Sequence, residues 1–117
     1  MISEILKKEN YTLVRVLTER LDINTSPELK SELVLLNNKG EKNIVMDMSG
    51  VNYCDSTGLR TILVGNRLCE NAIGTYILFG LQPDVEHLIK ISMLHTVLLI
   101  TKTLEEAEEL LKIKTNL

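Results

Sequence analysis

Aromatic residues are scarce in this chain of 117 residues, with no tryptophan, one phenylalanine and three tyrosines. A surface that binds single-stranded nucleic acid stacks bases on aromatic rings, and these are too few to build one. Basic clusters are missing as well. Thirteen Lys and Arg face sixteen Asp and Glu, for a formal net charge of −3, and Lys7-Lys8 is the only adjacent basic pair near the start. Phosphate backbones call for clustered cations, so no nucleic-acid partner is expected. The two cysteines, Cys54 and Cys69, make no disulfide framework. No apolar run approaches the ~20 residues of a spanning helix. "MISEILKKEN" lacks a basic segment followed by an apolar one. The expectation is a cytoplasmic, reduced protein with no membrane insertion. His87 and His95 stand eight residues apart with no ligand spacing around either, so no metal site is expected.

What is present is the composition of one folded domain, expected to span residues 1–117, with 44% hydrophobic and 25% charged residues. "YTLVRVL" (11–17), "NIVMDM" (43–48), "TYILFG" (75–80) and "VLLI" (97–100) have the length and the apolar or β-branched content of strands. A further short strand is expected near Ile2 to Leu6. Between them lie helical patterns. The first starts at Thr25 or Ser26 with Pro27 in its first turn, carries Leu29, Leu33 and Leu36 as its buried stripe, and stops at Gly40. The second runs from the segment around Ser56 to about Asn71, with Leu59, Ile62, Cys69 and Ala72 on one face and Gly65 allowing close approach to the sheet. Val64 and Leu68 lie off that arc, against the neighbouring helix or at a partner site. A short third helix follows Pro83. In the fourth, Thr103 and Glu106 form a capping box ahead of Leu104, Ala107, Leu110 and Leu111. Alternation of this kind predicts an α/β fold with a mainly parallel sheet of four to five strands and about four helices.

No catalytic constellation emerges, so an enzyme is not expected. Ser56 lacks the flanking glycines of a nucleophile elbow, and "DSTGLR" lacks the glycines and lysine of a phosphate-cradling loop. Cys54 precedes a helix start, which can depress a thiol pKa, but the residue type and place also suit a small buried hydrophobe. The "EEAEE" run at 105–109 suits a solvated helix face. The turn at "YCDSTGL" (53–59) remains. Its simplest reading makes Ser56 the N-cap and leaves Asp55 spare. A helix N-terminus, with free amides and the positive end of its dipole, is also where an added phosphate is well tolerated.

"VNYCDSTGLRTILVGN" resembles the signature segment of STAS domains, nearest to the small anti-sigma factor antagonists of bacteria. "LTERLDINTSPELKSEL" is similar to the family's earlier block, and "NIVMDMSGV" to its strand and turn. The resemblance implies the STAS fold and a non-enzymatic switch without a cofactor. The unmodified protein would bind an anti-sigma factor that is also a serine kinase, freeing a sigma factor. Phosphorylation of Ser56, with Thr57 as a lesser acceptor, would dissociate the pair, and a serine phosphatase would reset it. Asp55, Thr57, Gly58, Leu59 and Arg60 would shape the docking surface around Ser56, with Asp22, Asn24 and Thr25 on the same edge. Glu19 and Arg20 replace a glycine usual in the family, and Arg60 replaces a small residue. Two other roles occur among STAS domains: a structural subunit of signalling scaffolds or lipid-transport complexes, and a nucleotide-contacting module. Asp-Ser-Thr at the turn favours the switch. The missing glycines and lysine near Ser56 count against the nucleotide.

Overall fold

The computed structural model describes residues 2–115. In chain order the elements are β1 (Ser3–Lys7), β2 (Thr12–Val16), β3 (Arg20–Leu21), α1 (Ser26–Asn38), β4 (Ile44–Asp47), β5 (Tyr53–Cys54), α2 (Ser56–Asn71), β6 (Tyr76–Phe79), α3 (Pro83–Ile91), a 3-10 turn (Leu94–Thr96), β7 (Leu99–Thr101) and α4 (Leu104–Thr115).

Five strands form one sheet in the order β1-β2-β4-β6-β7. β1 runs antiparallel to β2, and every other pairing is parallel. All four residues of β4 and of β6 are buried, which is why "IVMD" and "YILF" carry no regular polar alternation. The pairing register lays out two opposed apolar rows. Val14, Met46 and Leu78 face a core shared with Leu29 and Leu33 of α1, Ile62 and Cys69 of α2, and Val85 and Ile89 of α3. Leu13, Val45 and Ile77 face the opposite side, where Ala107 and Leu111 of α4 cover them. Three helices therefore pack on one face and one on the other. Each fully buried Leu, Ile or Val contributes roughly 1.5–3 kcal/mol relative to exposure.

Local signals act much as the sequence implies. Gly40 closes α1 at φ +89°, in the left-handed region. A side chain at Gly65 would lie 2.5 Å from the Tyr76 ring, so only glycine lets α2 approach β6 this closely. Three details differ. The last strand is displaced to Leu99–Thr101, because the 3-10 turn takes up the chain before it and leaves Val97 exposed. The capping box of α4 is half formed. The Thr103 hydroxyl accepts from the Glu106 amide at 3.2 Å, but the Glu106 carboxylate reaches the Lys102 amide, one residue before the cap, at 2.9 Å. The acidic run is not wholly solvated, since half-buried Glu108 accepts a 2.6 Å bond from the Tyr11 hydroxyl. With burial, that bond raises the Tyr11 pKa well above its ordinary value.

Candidate functional site

A second, two-stranded sheet carries the site. β3 and β5 pair in parallel, Arg20 with Tyr53 and Leu21 with Cys54. The Glu19 carbonyl accepts from the amides of Asn52 and Tyr53 at 2.8 and 3.1 Å, and the Leu21 carbonyl accepts from the Asp55 amide at 3.3 Å. The Arg20 guanidinium lies 4.0 Å from the centre of the Tyr53 ring and 3.5 Å from the Asp22 carboxylate. This ribbon ties the chain entering α1 to the chain entering α2. Strands of two residues leave no periodicity to read, and neither is among the strands expected from the sequence. Arg20 and Tyr53 lie 33 residues apart in sequence and become neighbours only through this pairing.

The turn before α1 is closed on itself. The Thr25 hydroxyl accepts from the Asp22 amide at 3.0 Å and donates to the Arg20 carbonyl at 2.7 Å. The Asp22 carboxylate accepts from the Asn24 amide at 3.0 Å, and the Asp22 carbonyl accepts from the Ser26 amide at 2.8 Å. Ile23 and Asn24 are exposed at the tip.

The turn before α2 corrects the simplest sequence reading. Asp55, not Ser56, is the N-cap: its backbone is extended and its carboxylate accepts from the Gly58 amide at 2.9 Å. Ser56 is the first helical residue. It is exposed, and its hydroxyl has no hydrogen-bond partner among the described residues. Both residue types cap well, and only the position of the amide three residues on decides between them.

Gly58 holds the two turns together. A Cβ there would sit 2.2 Å from the Leu21 carbonyl oxygen and 2.8 Å from the Cys54 sulfur. Helix α2 can begin against β3 only because position 58 has no side chain. Leu59 is half-buried against the main core and fixes the same turn from beneath. Asp22, Asn24, Thr25, Asp55, Ser56, Thr57 and Arg60 thus belong to one edge, with Gly58 and Leu59 as its support. Thr57 is half-buried and Arg60 exposed. Val64 faces the cleft between α1 and α2, and Leu68 packs against the core.

Burial, then the neighbouring Asp55 charge, pushes the Cys54 thiol up to about 12, so it stays protonated near neutral pH. The buried-hydrophobe reading of Cys54 therefore holds. His87 and His95 are both exposed, and no group of three His, Cys, Asp or Glu among the described residues is placed to hold a metal ion. No helix among them is long and apolar enough to cross a membrane.

Comparison with known proteins identifies the family and the fold. The STAS domain profile matches residues 4–107, and the chain belongs to the STAS domain family. A protein of Bordetella bronchiseptica assigned as the anti-sigma factor antagonist BtrV is 28% identical over 87 residues, covering 74% of this chain and 75% of that one. The crystal structure of a protein assigned as an anti-sigma factor antagonist of Thermotoga maritima superposes with a TM-score of 0.85 at 21% identity, over 94% of each chain. The phosphorylated form of the Bacillus cell-fate determinant SpoIIAA shares the fold, with a TM-score of 0.71 at 19% identity over 92% of this chain and 96% of that one.

Proposed function

We propose that this protein is an anti-sigma factor antagonist whose grip on its partner is controlled by phosphorylation of Ser56. The observation that carries the reading is the division of labour at the α2 turn. Asp55 caps the helix, so the Ser56 hydroxyl is exposed, unbonded and free to be modified without loosening the fold. In the unmodified state the edge formed by the Asp22 turn and the first turn of α2 docks an anti-sigma factor with serine kinase activity, and a sigma factor is released. The kinase transfers the γ-phosphoryl of ATP to the Ser56 oxygen. The hydroxyl proton passes to a base of the kinase, and ADP leaves. A serine phosphatase returns the hydroxyl by hydrolysis.

The energetics suit a switch. Phosphorylation adds a charge of roughly −1.5 to −2, which free amides and the dipole at a helix N-terminus tolerate. In an interface shaped for a neutral hydroxyl, beside Asp55 and Asp22, the same charge is desolvated and opposed by like charge, at a cost of several kcal/mol. A penalty of ~3–4 kcal/mol weakens binding by a few hundredfold.

Capture from the native cell with three baits tests this reading. Wild type and Ser56→Ala are expected to retain an ATP-dependent kinase that phosphorylates wild type at position 56, and Ser56→Asp to lose it. Equal recovery by all three, or recovery of a transport or scaffold assembly indifferent to position 56, would overturn the switch in favour of a structural subunit.

A further inference from the structure

The first turns of α2 have a second face, turned toward α1. Thr57, Arg60 and Val64, at i, i+3 and i+7 on α2, line a groove of about 340 Å³ together with Ser26 and Lys30 of α1. One cation stands on each bank. Among the described residues neither Lys30 nor Arg60 pairs with a carboxylate. The wall between them holds a second anomaly. Ser26 is 1% exposed, yet its hydroxyl has no hydrogen-bond partner. Buried hydroxyls are nearly always paired, and an orphaned one marks a place where an acceptor is missing. The first turns of α1 and α2 flank this groove, so the positive dipole ends of two helices add to the two side-chain cations. Its chemistry is that of an oxyanion site. The lysine absent from the sequence around Ser56 is supplied from α1, 26 residues earlier.

Ser56 stands four residues before Arg60, the spacing at which helical side chains lie alongside one another. We propose that the phosphate on Ser56 is received within the same molecule by this groove, held by Arg60 from its own helix and by Lys30 from α1. The proposal rests on the reading that Ser56 is the acceptor, and it adds where the phosphate goes. The nearby carboxylates are already engaged: Asp55 with the Gly58 amide, and Asp22 with the Asn24 amide and the Arg20 guanidinium. Lys30 and Arg60 are the charges left to answer the phosphate. Engaging them takes two cations out of the docking surface as the anion enters it, so one modification changes the edge in two ways. A carboxylate at position 56 has a smaller charge and a shorter reach than a phosphate, and it mimics only the added negative charge, not the engagement of the cations.

The titration itself needs neither kinase nor partner. Phosphoserine is placed at position 56 during translation in the full chain, and its second ionisation is followed by phosphorus NMR. The same titration is run on the Lys30→Gln/Arg60→Gln double variant, which keeps both helix termini. The phosphate in the wild-type background is expected to ionise roughly 0.5 to 1 pH unit lower than in the double variant, as for an anion beside opposite charges. Identical titrations would overturn the proposal. Should the double variant not fold, Arg60→Gln alone, at an exposed site, is expected to give a clear part of the same difference, and no difference there overturns it equally. Titrations that coincide in the two backgrounds reject the groove while the partner switch stands. A displaced titration in a phosphoprotein that still binds the kinase rejects the switch while the groove stands.

Discussion

At the entrance to α1 the Thr25 hydroxyl is bonded twice, to the Asp22 amide and the Arg20 carbonyl, and the Ser26 hydroxyl beside it is buried. At the entrance to α2 a carboxylate does the capping, and the hydroxyl of Ser56 is exposed with nothing to hold. The two entrances are tied to one ribbon and share residue types, an aspartate followed by small hydroxyl residues. The first fixes the chain with the Thr25 hydroxyl and buries that of Ser26 unpaired. The second leaves its hydroxyl idle in structural terms, which is the condition for a group that can be modified and restored without cost to the fold.

The largest expected effect comes from breaking the link between the entrances. Helix propensity alone favours Gly58→Ala by about 1 kcal/mol, but the added methyl meets the Leu21 carbonyl, a backbone atom that cannot rotate away. The variant is expected to lose about 3 kcal/mol in urea unfolding. A stabilised variant would show that α2 does not lean on β3. Next comes a third hydroxyl, on Ser49, which resembles Thr25 in being engaged. It donates at 2.6 Å to the Asp47 carboxylate, which also accepts from the Ser49 amide and from Arg15. Burial pushes the Asp47 carboxyl up, but the Ser49 bonds and Arg15 outweigh it and hold the carboxyl below its ordinary value. Ser49→Ala is expected to cost about 1.5 kcal/mol at neutral pH. Because the folded pKa is the depressed one, that stabilisation is complete above the ordinary value of 3.8 and disappears as pH falls through the folded value. The stability gap between wild type and Ser49→Ala should therefore close in acid, and a gap that persists at the lowest pH would exclude the carboxylate as its source.

Removing the cap with Asp55→Ala is expected to cost about 1 kcal/mol. Ser56→Ala, one residue on, should stay within about 0.5 kcal/mol of wild type. The order of these two urea midpoints is the sharpest structural form of the comparison. If Ser56→Ala were the more damaging, the hydroxyl would be part of the fold after all.

Much of this architecture is legible in the sequence because it follows from long, strongly patterned segments. "NIVMDM" and "TYILFG" are apolar enough to be central strands, and Leu29, Leu33 and Leu36 declare the buried side of α1. The STAS signature identifies the turn before α2. What escaped is short or depends on contacts across the chain. β3 and β5 have two residues each, too few for any period, and they exist because Gly58 lets α2 settle against Leu21. The cap at Asp55 rather than Ser56 turns on which oxygen faces the Gly58 amide, a matter of one residue between two good capping types. Lys30 and Arg60 come to line one groove only after α1 and α2 pack side by side, so no reading of the Ser56 segment alone could supply Lys30.

Phosphosite mapping on the protein recovered from its native cell bears most directly on Ser56 as an idle hydroxyl kept for modification. Intact mass and peptide fragmentation would be compared across growth conditions. The expected result is a single phosphate on Ser56 in a fraction of the molecules that varies with conditions, with Thr25 and Ser49 always unmodified. Phosphate found only on Thr25, Ser49 or Thr57, or on none of these residues in any condition, would contradict it.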